Sequence, residues 1–360
     1  MNLHPNVCRL PSLLISANLI FCSLTEHIFA EREAFVLERT EAKFIEAIAP
    51  PLQSPKTREI RFVGPLAESS LFSSVRFSLL GNPSGVNDFL FLFHGDTPSY
   101  YDTTTKAGKS ATPIEADLWR LHQELSKVGE GLVVVQAKSS KQDWHSLYRT
   151  SQSDFRANGL AIEIQVLYLA LCKYFPGERR CHFHSFSGAG RVDRALHKAL
   201  LEGEETFPEL RSGALQSWTV SDGMVNNAFS KEDKLEKKSV MAVSWANFMQ
   251  RYPAISVTLV YDRSGEYPYM QGINLDVIRF SRDLAETGRI GVEPSVKIIG
   301  QAGALRTVNV DGSKVLKQLQ AFEKKRDVVR LKSANNHLNT FLGEIADSYL
   351  EHRKGLRGGR

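Results

Sequence analysis

The residues with the most chemistry to offer lie in Cys181-His182-Phe183-His184-Ser185-Phe186-Ser187-Gly188-Ala189-Gly190. An apolar stretch gives way to small residues around a serine, as where a strand turns sharply into a helix and leaves a hydroxyl at the bend. Such a nucleophile elbow strains the backbone of its serine, so the residues two before and two after it must be small. Ser187 meets that condition with Ser185 and Ala189, whereas Ser185 in the same role would have Phe183 at the first flank, where a ring does not fit. The commonest form of the motif is Gly-x-Ser-x-Gly, and here Ser185 and Ala189 stand in place of the glycines, with Gly190 following directly. A serine held this way does covalent acyl chemistry when a base takes its proton and backbone N–H groups face the oxyanion.

The elements that must position it follow from hydrophobic periodicity. Ile60 to Val63 and Val75 to Leu80 read as strands, closed by Gly81-Asn82-Pro83-Ser84-Gly85. Asp88 to Phe93, followed by His94-Gly95, is an almost unbroken apolar run, the signature of a strand buried on both faces in a parallel sheet. Alternation follows: helix over Ile114 to Val128, strand over Leu132 to Val135, helix over Gly159 to Tyr174, and the elbow strand from Arg180. Ala195 to Leu201 then reads as helix, Leu215 to Ser221 as strand, Val240 to Tyr252 as helix, Ile255 to Tyr261 as strand and Leu275 to Ala285 as helix. Val296 to Ile299 and Asp327 to Lys332 are expected as short strands, with helices over Ser313 to Lys325 and Leu338 to Glu351. The pattern predicts an α/β fold, a mostly parallel central sheet with helices on both faces, in a single domain over residues 58–351. Residues 31–57, rich in charge and ending in Pro50-Pro51 and Pro55, are expected to be a short helix and linker, and 352–360 a basic flexible tail.

In such a sheet ligands collect at the carboxyl ends of the strands. His94-Gly95-Asp96 closes one strand, Ser187 the elbow strand, and Asp222 the strand Trp218-Thr219-Val220-Ser221; His337 follows the last strand and opens the closing helix. With Phe93-His94-Gly95, Ser185 to Gly190, Ser221-Asp222-Gly223 and Asn335-Asn336-His337 in that order, the chain resembles the α/β-hydrolase family from about Arg58 to Glu351. The resemblance implies a serine hydrolase with Ser187 as nucleophile and His337 as base and then acid. The oxyanion donors it implies are the N–H groups of Gly188 and of Gly95 or Asp96. The orienting carboxylate is Asp222 or Asp262. The family most often takes it from the second strand after the elbow, which favours Asp262; some members use the first, and small neighbours favour Asp222. The substrate would be a small-molecule or cell-envelope ester or amide, and the chemistry needs no metal or organic cofactor. The same triad serves an acyltransferase, and the fold also serves a catalytically inactive binding protein.

The remaining signals bound the class. The formal charge is +5, and no long block of Lys or Arg is interleaved with aromatics, which argues against a nucleic-acid partner. Residues 1–30 read as a signal peptide: Arg9, an apolar run from Leu13 to Leu24, and Ile28-Phe29-Ala30 at the cleavage site. The expectation is export, periplasmic or secreted, with no stable membrane span, because that run falls short of the roughly 20 residues needed to cross. Removal of the leader leaves Cys172 and Cys181, either a disulfide beside the elbow strand or two buried thiols. His182 and His184 share one face of that strand and read as packed or hydrogen-bonded. Trp144 and His145 read as an anchored loop or pocket wall, and Arg191 as a helix-surface charge.

Overall fold

The apolar run around Phe91 is a doubly buried strand. In a computed structural model of the chain, which describes residues 41–46, 57–63, 72–95, 113–139, 154–175, 177, 180–202, 213–221, 240–262, 295–299, 305–308 and 341–358, Val86–Phe93 (β4) has both faces covered. The strands Glu41–Glu46 (β1), Thr57–Val63 (β2), Phe72–Gly81 (β3), Gly131–Ser139 (β5), Arg180–Phe186 (β6), Leu215–Ser221 (β7), Ser256–Asp262 (β8), Ser295–Ile299 (β9) and Leu305–Val308 (β10) complete one sheet. Its order is β1-β2-β3-β5-β4-β6-β7-β8-β9-β10. From β5 to β9 every neighbouring pair is parallel; β1, β2, β3 and β10 extend the sheet antiparallel.

Helices Pro113–Lys127 (α1), Asp154–Tyr174 (α2), Gly190–Glu202 (α3), Val240–Arg251 (α4) and Glu344–Gly358 (α5) divide between the faces. One core joins Phe89, Phe91 and Phe93 of β4 to α2, α3 and α4, and the other joins Leu90 and Leu92 to α1 and α5. This is the two-residue alternation of a strand, with apolar side chains on both phases. In α3, Val192, Ala195, Leu196, Ala199 and Leu200 repeat at helical spacing and all are buried against the sheet. Edge-on ring contacts tie the central strands together, with Phe91–Phe183 centroids at 5.7 Å and Phe183–Trp218 at 4.9 Å. No helix among the described residues is long and apolar enough to cross a membrane.

Several expectations are corrected. Within residues 31–57, Glu41–Glu46 is a strand rather than helix, pairing antiparallel with β2 in the register Phe44↔Ile60. An open sheet edge satisfies six residues of backbone better than an isolated helical turn would. The closing helix begins at Glu344 instead of Leu338, after a turn at Phe341 to Gly343, and runs to Gly358. The expected frayed tail is therefore helical over most of its length. The cause is Arg353, which is buried and pairs with the carboxylates of Asp88 and Glu130. Asp88, wholly buried at the start of β4, also accepts from Arg180 Nε (2.6 Å) and Tyr349 Oη (2.7 Å). Strand β10 was not expected. The helices read over Leu275 to Ala285 and Ser313 to Lys325 and the strand over Asp327 to Lys332 lie outside the described residues, as does the leader.

Removing Arg353 would strand part of the charge on a buried Asp88. Arg353→Ala should therefore lower stability by about 3 kcal/mol, measured by chemical denaturation; a loss below about 1 kcal/mol would show that the tail is not anchored in this way.

Candidate active site

Ser187 has φ 51°, the one non-glycine residue with positive φ among those described. That left-handed backbone costs an L-residue about 1–2 kcal/mol, so the surroundings must hold it. Ser187 opens a short 3-10 turn, Ser187–Ala189, that leads directly into α3, and all three residues are buried. Ala189 is fully covered and Ser185, two residues before, is equally so, which leaves no room for larger flanks. Gly188 follows Ser187 in the first turn of this helical run, the position from which a backbone N–H can face an oxyanion.

The departure from glycine at Ser185 has a structural use. Its Oγ lies 2.8 Å from Oδ2 of Asp193, and the other carboxyl oxygen of Asp193 accepts from Trp218 Nε1 at 3.1 Å. Asp193 is wholly buried, and burial raises its pKa to about 8 against the opposing pull of those two hydrogen bonds. Its place in the first turn of α3 favours the anion by about 0.3–2 kcal/mol, less than the several kcal/mol that desolvating an unpaired carboxylate costs. One turn on, His197 packs on Trp218 (4.9 Å between centroids) and shares a hydrogen bond with Ser244 Oγ (2.8 Å); burial depresses its pKa to about 3.

The site lies where the strand order reverses. From β4 the chain crosses through α1 to β5 on one side and then through α2 to β6 on the other, so the carboxyl ends of β4 and β6 flank the switch point at which ligands collect in such sheets. Phe93 pairs with Ser185, which sets Gly95 and Ser187 two residues beyond the same rung. His94 is buried, with its pKa lowered to about 4 chiefly by desolvation, and its Nδ1–H donates to the Gly95 carbonyl. A neutral imidazole thus holds the Gly95 carbonyl.

On the opposite face of β6 the elbow is held by the segment that precedes α5. Phe341 stacks on Phe186, the residue just before the serine (4.9 Å, 18°), and meets His184 edge-on at 5.1 Å. Gly343, at φ 83°, turns the chain into α5, and its N–H donates to Asp117 Oδ2 at 2.5 Å. Desolvation raises the pKa of Asp117 to about 6, with the Gly343 bond opposing it.

Of the sequence candidates, the structure brings Ser187, Gly188 and Gly95 to one end of the sheet. Asp96, Asp222 and His337 lie outside the described residues, as do Trp144 and His145. The residue before Asp222, Ser221, pairs with Phe186 and shares a 2.7 Å hydrogen bond with His184 Nε2. Asp262 ends β8, two strands from the elbow. His182 and His184 are buried and hydrogen-bonded, His182 to Ser217 Oγ at 2.7 Å. Cys172 and Cys181 are buried and not joined in a disulfide, and burial raises the pKa of Cys181 well above its usual value. Asp193, Phe341 and Asp117 were not anticipated. An aspartate in a first helical turn and a phenylalanine before a helix are ordinary surface and core patterns, and nothing in their spacing sets them apart.

The parallel run from β5 to β9, the reversal of strand order at β4 and a strained serine closing β6 give an α/β-hydrolase-like fold. Searched against protein-family models and curated proteins, the chain has no match. Among solved structures it is similar to a thermostable esterase at 13% identity and TM-score 0.39, covering 80% of this chain and 61% of that one. It is also similar to a dienelactone hydrolase from Anabaena variabilis ATCC 29413 at 14% identity and TM-score 0.35, covering 69% and 90%. A CE15 glucuronoyl esterase from Teredinibacter turnerae T7901 gives 11% identity and TM-score 0.36, covering 68% and 67%. The chain thus spans about three fifths of the length of the thermostable esterase. The strand order and the elbow, not these likenesses, carry the fold assignment.

Relief of the left-handed strain gives a direct check. Ser187→Gly should be about 1 kcal/mol more stable than Ser187→Ala in chemical denaturation; equal stabilities would show that position 187 is unstrained.

Proposed function

We propose that the chain is a serine hydrolase that cleaves an ester or amide through an acyl-enzyme. The observation that carries this is the left-handed Ser187 at the carboxyl end of β6, where the sheet order reverses. Strain of this kind persists where the fold over-determines it, and its usual return is a hydroxyl held for reaction.

In the proposed mechanism Ser187 Oγ attacks the substrate carbonyl while His337 takes its proton. The oxyanion is met by the Gly188 N–H and by a second N–H from the turn after β4. That second donor is the N–H of Gly95 or of Asp96. His337 then passes its proton to the leaving group, and water, activated by the same histidine, releases the acyl group. His337 is four residues before Phe341, whose ring lies on Phe186, so a chain reach of at most about 14 Å separates its Cα from that of Phe341. For the acid we propose Asp222, next to the rung that pairs with Phe186, over Asp262, one strand further away. Export remains part of the proposal, supported by the leader-like residues 1–30.

Labelling with a fluorophosphonate probe tests the reading. It should vanish in Ser187→Ala and fall about a hundredfold or more in His337→Ala. Asp222→Asn should be impaired far more than Asp262→Asn. A folded wild type that never labels would overturn the proposal, and a larger loss in Asp262→Asn would move the acid. His94→Ala should slow labelling about tenfold or more if the Gly95 peptide is held as argued; an unaffected rate would release His94 from that role.

A further inference from the structure

Asp193 is a fully buried carboxyl whose side-chain partners among the described residues are a hydroxyl and an indole, and the serine-hydrolase reading makes no use of it. Among the described residues no cation is paired with it. From β6 it meets Ser185, from β7 the Trp218 N–H, and along α3 the next inward polar group is His197, which α4 covers with Trp245, Phe248 and Ser244. His197 is itself neutral at ordinary pH, because burial depresses its pKa. A carboxyl in apolar surroundings with neutral partners keeps its proton.

Resting on the proposed role of Ser187, we infer that Asp193 is a positioning residue that works in its neutral form, bracing the elbow by donating a hydrogen bond to Ser185. The geometry gives that proton a consistent path. With Asp193 protonated, its O–H donates to Ser185 Oγ, and the Ser185 O–H is free to donate onward to the Thr219 carbonyl on β7, 3.5 Å away. Trp218 meanwhile donates to the other carboxyl oxygen. The brace thus links the residue two before the serine to both the next strand and the elbow helix. When Asp193 ionises, its proton leaves to solvent, Ser185 must turn its O–H back to the carboxylate, and the link to Thr219 is given up. The raised pKa of Asp193 agrees with this assignment.

The sign of the pH effect follows. A carboxyl whose folded pKa is raised contributes stability that is fully present below its unfolded pKa and is lost as pH rises through about 8. Asparagine reproduces the neutral acid, since its amide donates to Ser185 and its carbonyl accepts from Trp218, and it cannot ionise. Two measurements on wild type, Asp193→Asn and Asp193→Ala test the inference. In denaturation from about pH 5 to pH 9, the stability of wild type relative to Asp193→Asn should fall steadily with rising pH and level off above about 8. Other titrating groups cancel in that difference. In fluorophosphonate labelling at neutral pH, Asp193→Asn should stay within about threefold of wild type, whereas Asp193→Ala should be slowed about tenfold or more. Above pH 8 wild type should fall behind Asp193→Asn.

A flat stability difference, or an Asp193→Asn protein that folds but labels as poorly as Asp193→Ala, would overturn the inference, because either result means that a carboxylate is present or required. Should Asp193→Ala fail to fold, Ser185→Ala takes its place, since it removes the same link from the other side. If wild type does not label at any pH, the hydrolase reading fails, and the stability difference still decides the protonation state of Asp193.

Discussion

Everything near the candidate site is arranged around one unfavourable backbone conformation, the left-handed Ser187. An isolated chain would relax it, because the cost is comparable with a sizeable fraction of a domain's net stability. It persists because β6 enters the turn as a central strand between β4 and β7, and α3 leaves it at once with five apolar residues packed on the sheet. Neither end of the turn can move without unpacking the core.

The two phases of β6 give this constraint its two supports. Ser185 faces the layer of α3 and α4, where Asp193 and Trp218 receive it; Phe186 faces the layer of α1 and α5, where Phe341 stacks on it. Helix α5 follows β4 and β6 from one end to the other. Phe341 touches Phe186 near the elbow, Tyr349 meets His182 edge-on at 5.2 Å halfway down, and Arg353 reaches Asp88 at the far end. The segment that carries His337 in sequence therefore leads directly into an element fixed along the same strands as the serine. Of these contacts, the buried ion pair most strongly penalises the loss of one partner, and the stacked rings set the spacing at the elbow.

The sheet was legible because a doubly covered parallel strand must be apolar in both phases, and Phe89 to Phe93 and Leu132 to Val135 both are. Ser187 was legible for a different reason, since a strained turn admits only small flanks, and that demand is local in sequence. The brace was not. Asp193 reads as a helix-start carboxylate until the fold buries it against Ser185 and Trp218, residues 8 and 25 positions away. Helix in the last residues was missed because glycine-rich basic sequence has no intrinsic preference for it, and the distant Asp88 and Glu130 supply the anchor. Edge strand β1 was missed likewise, its order coming from pairing with β2 rather than from its own residues.

The most direct test of the central claim is where a covalent adduct forms. The purified protein would be incubated with a fluorophosphonate, digested, and mapped by mass spectrometry. The account predicts a single phosphonylated site, Ser187, on the peptide that contains Phe186 and Gly188. An adduct at Ser185 or elsewhere, or no adduct on folded protein, would contradict it.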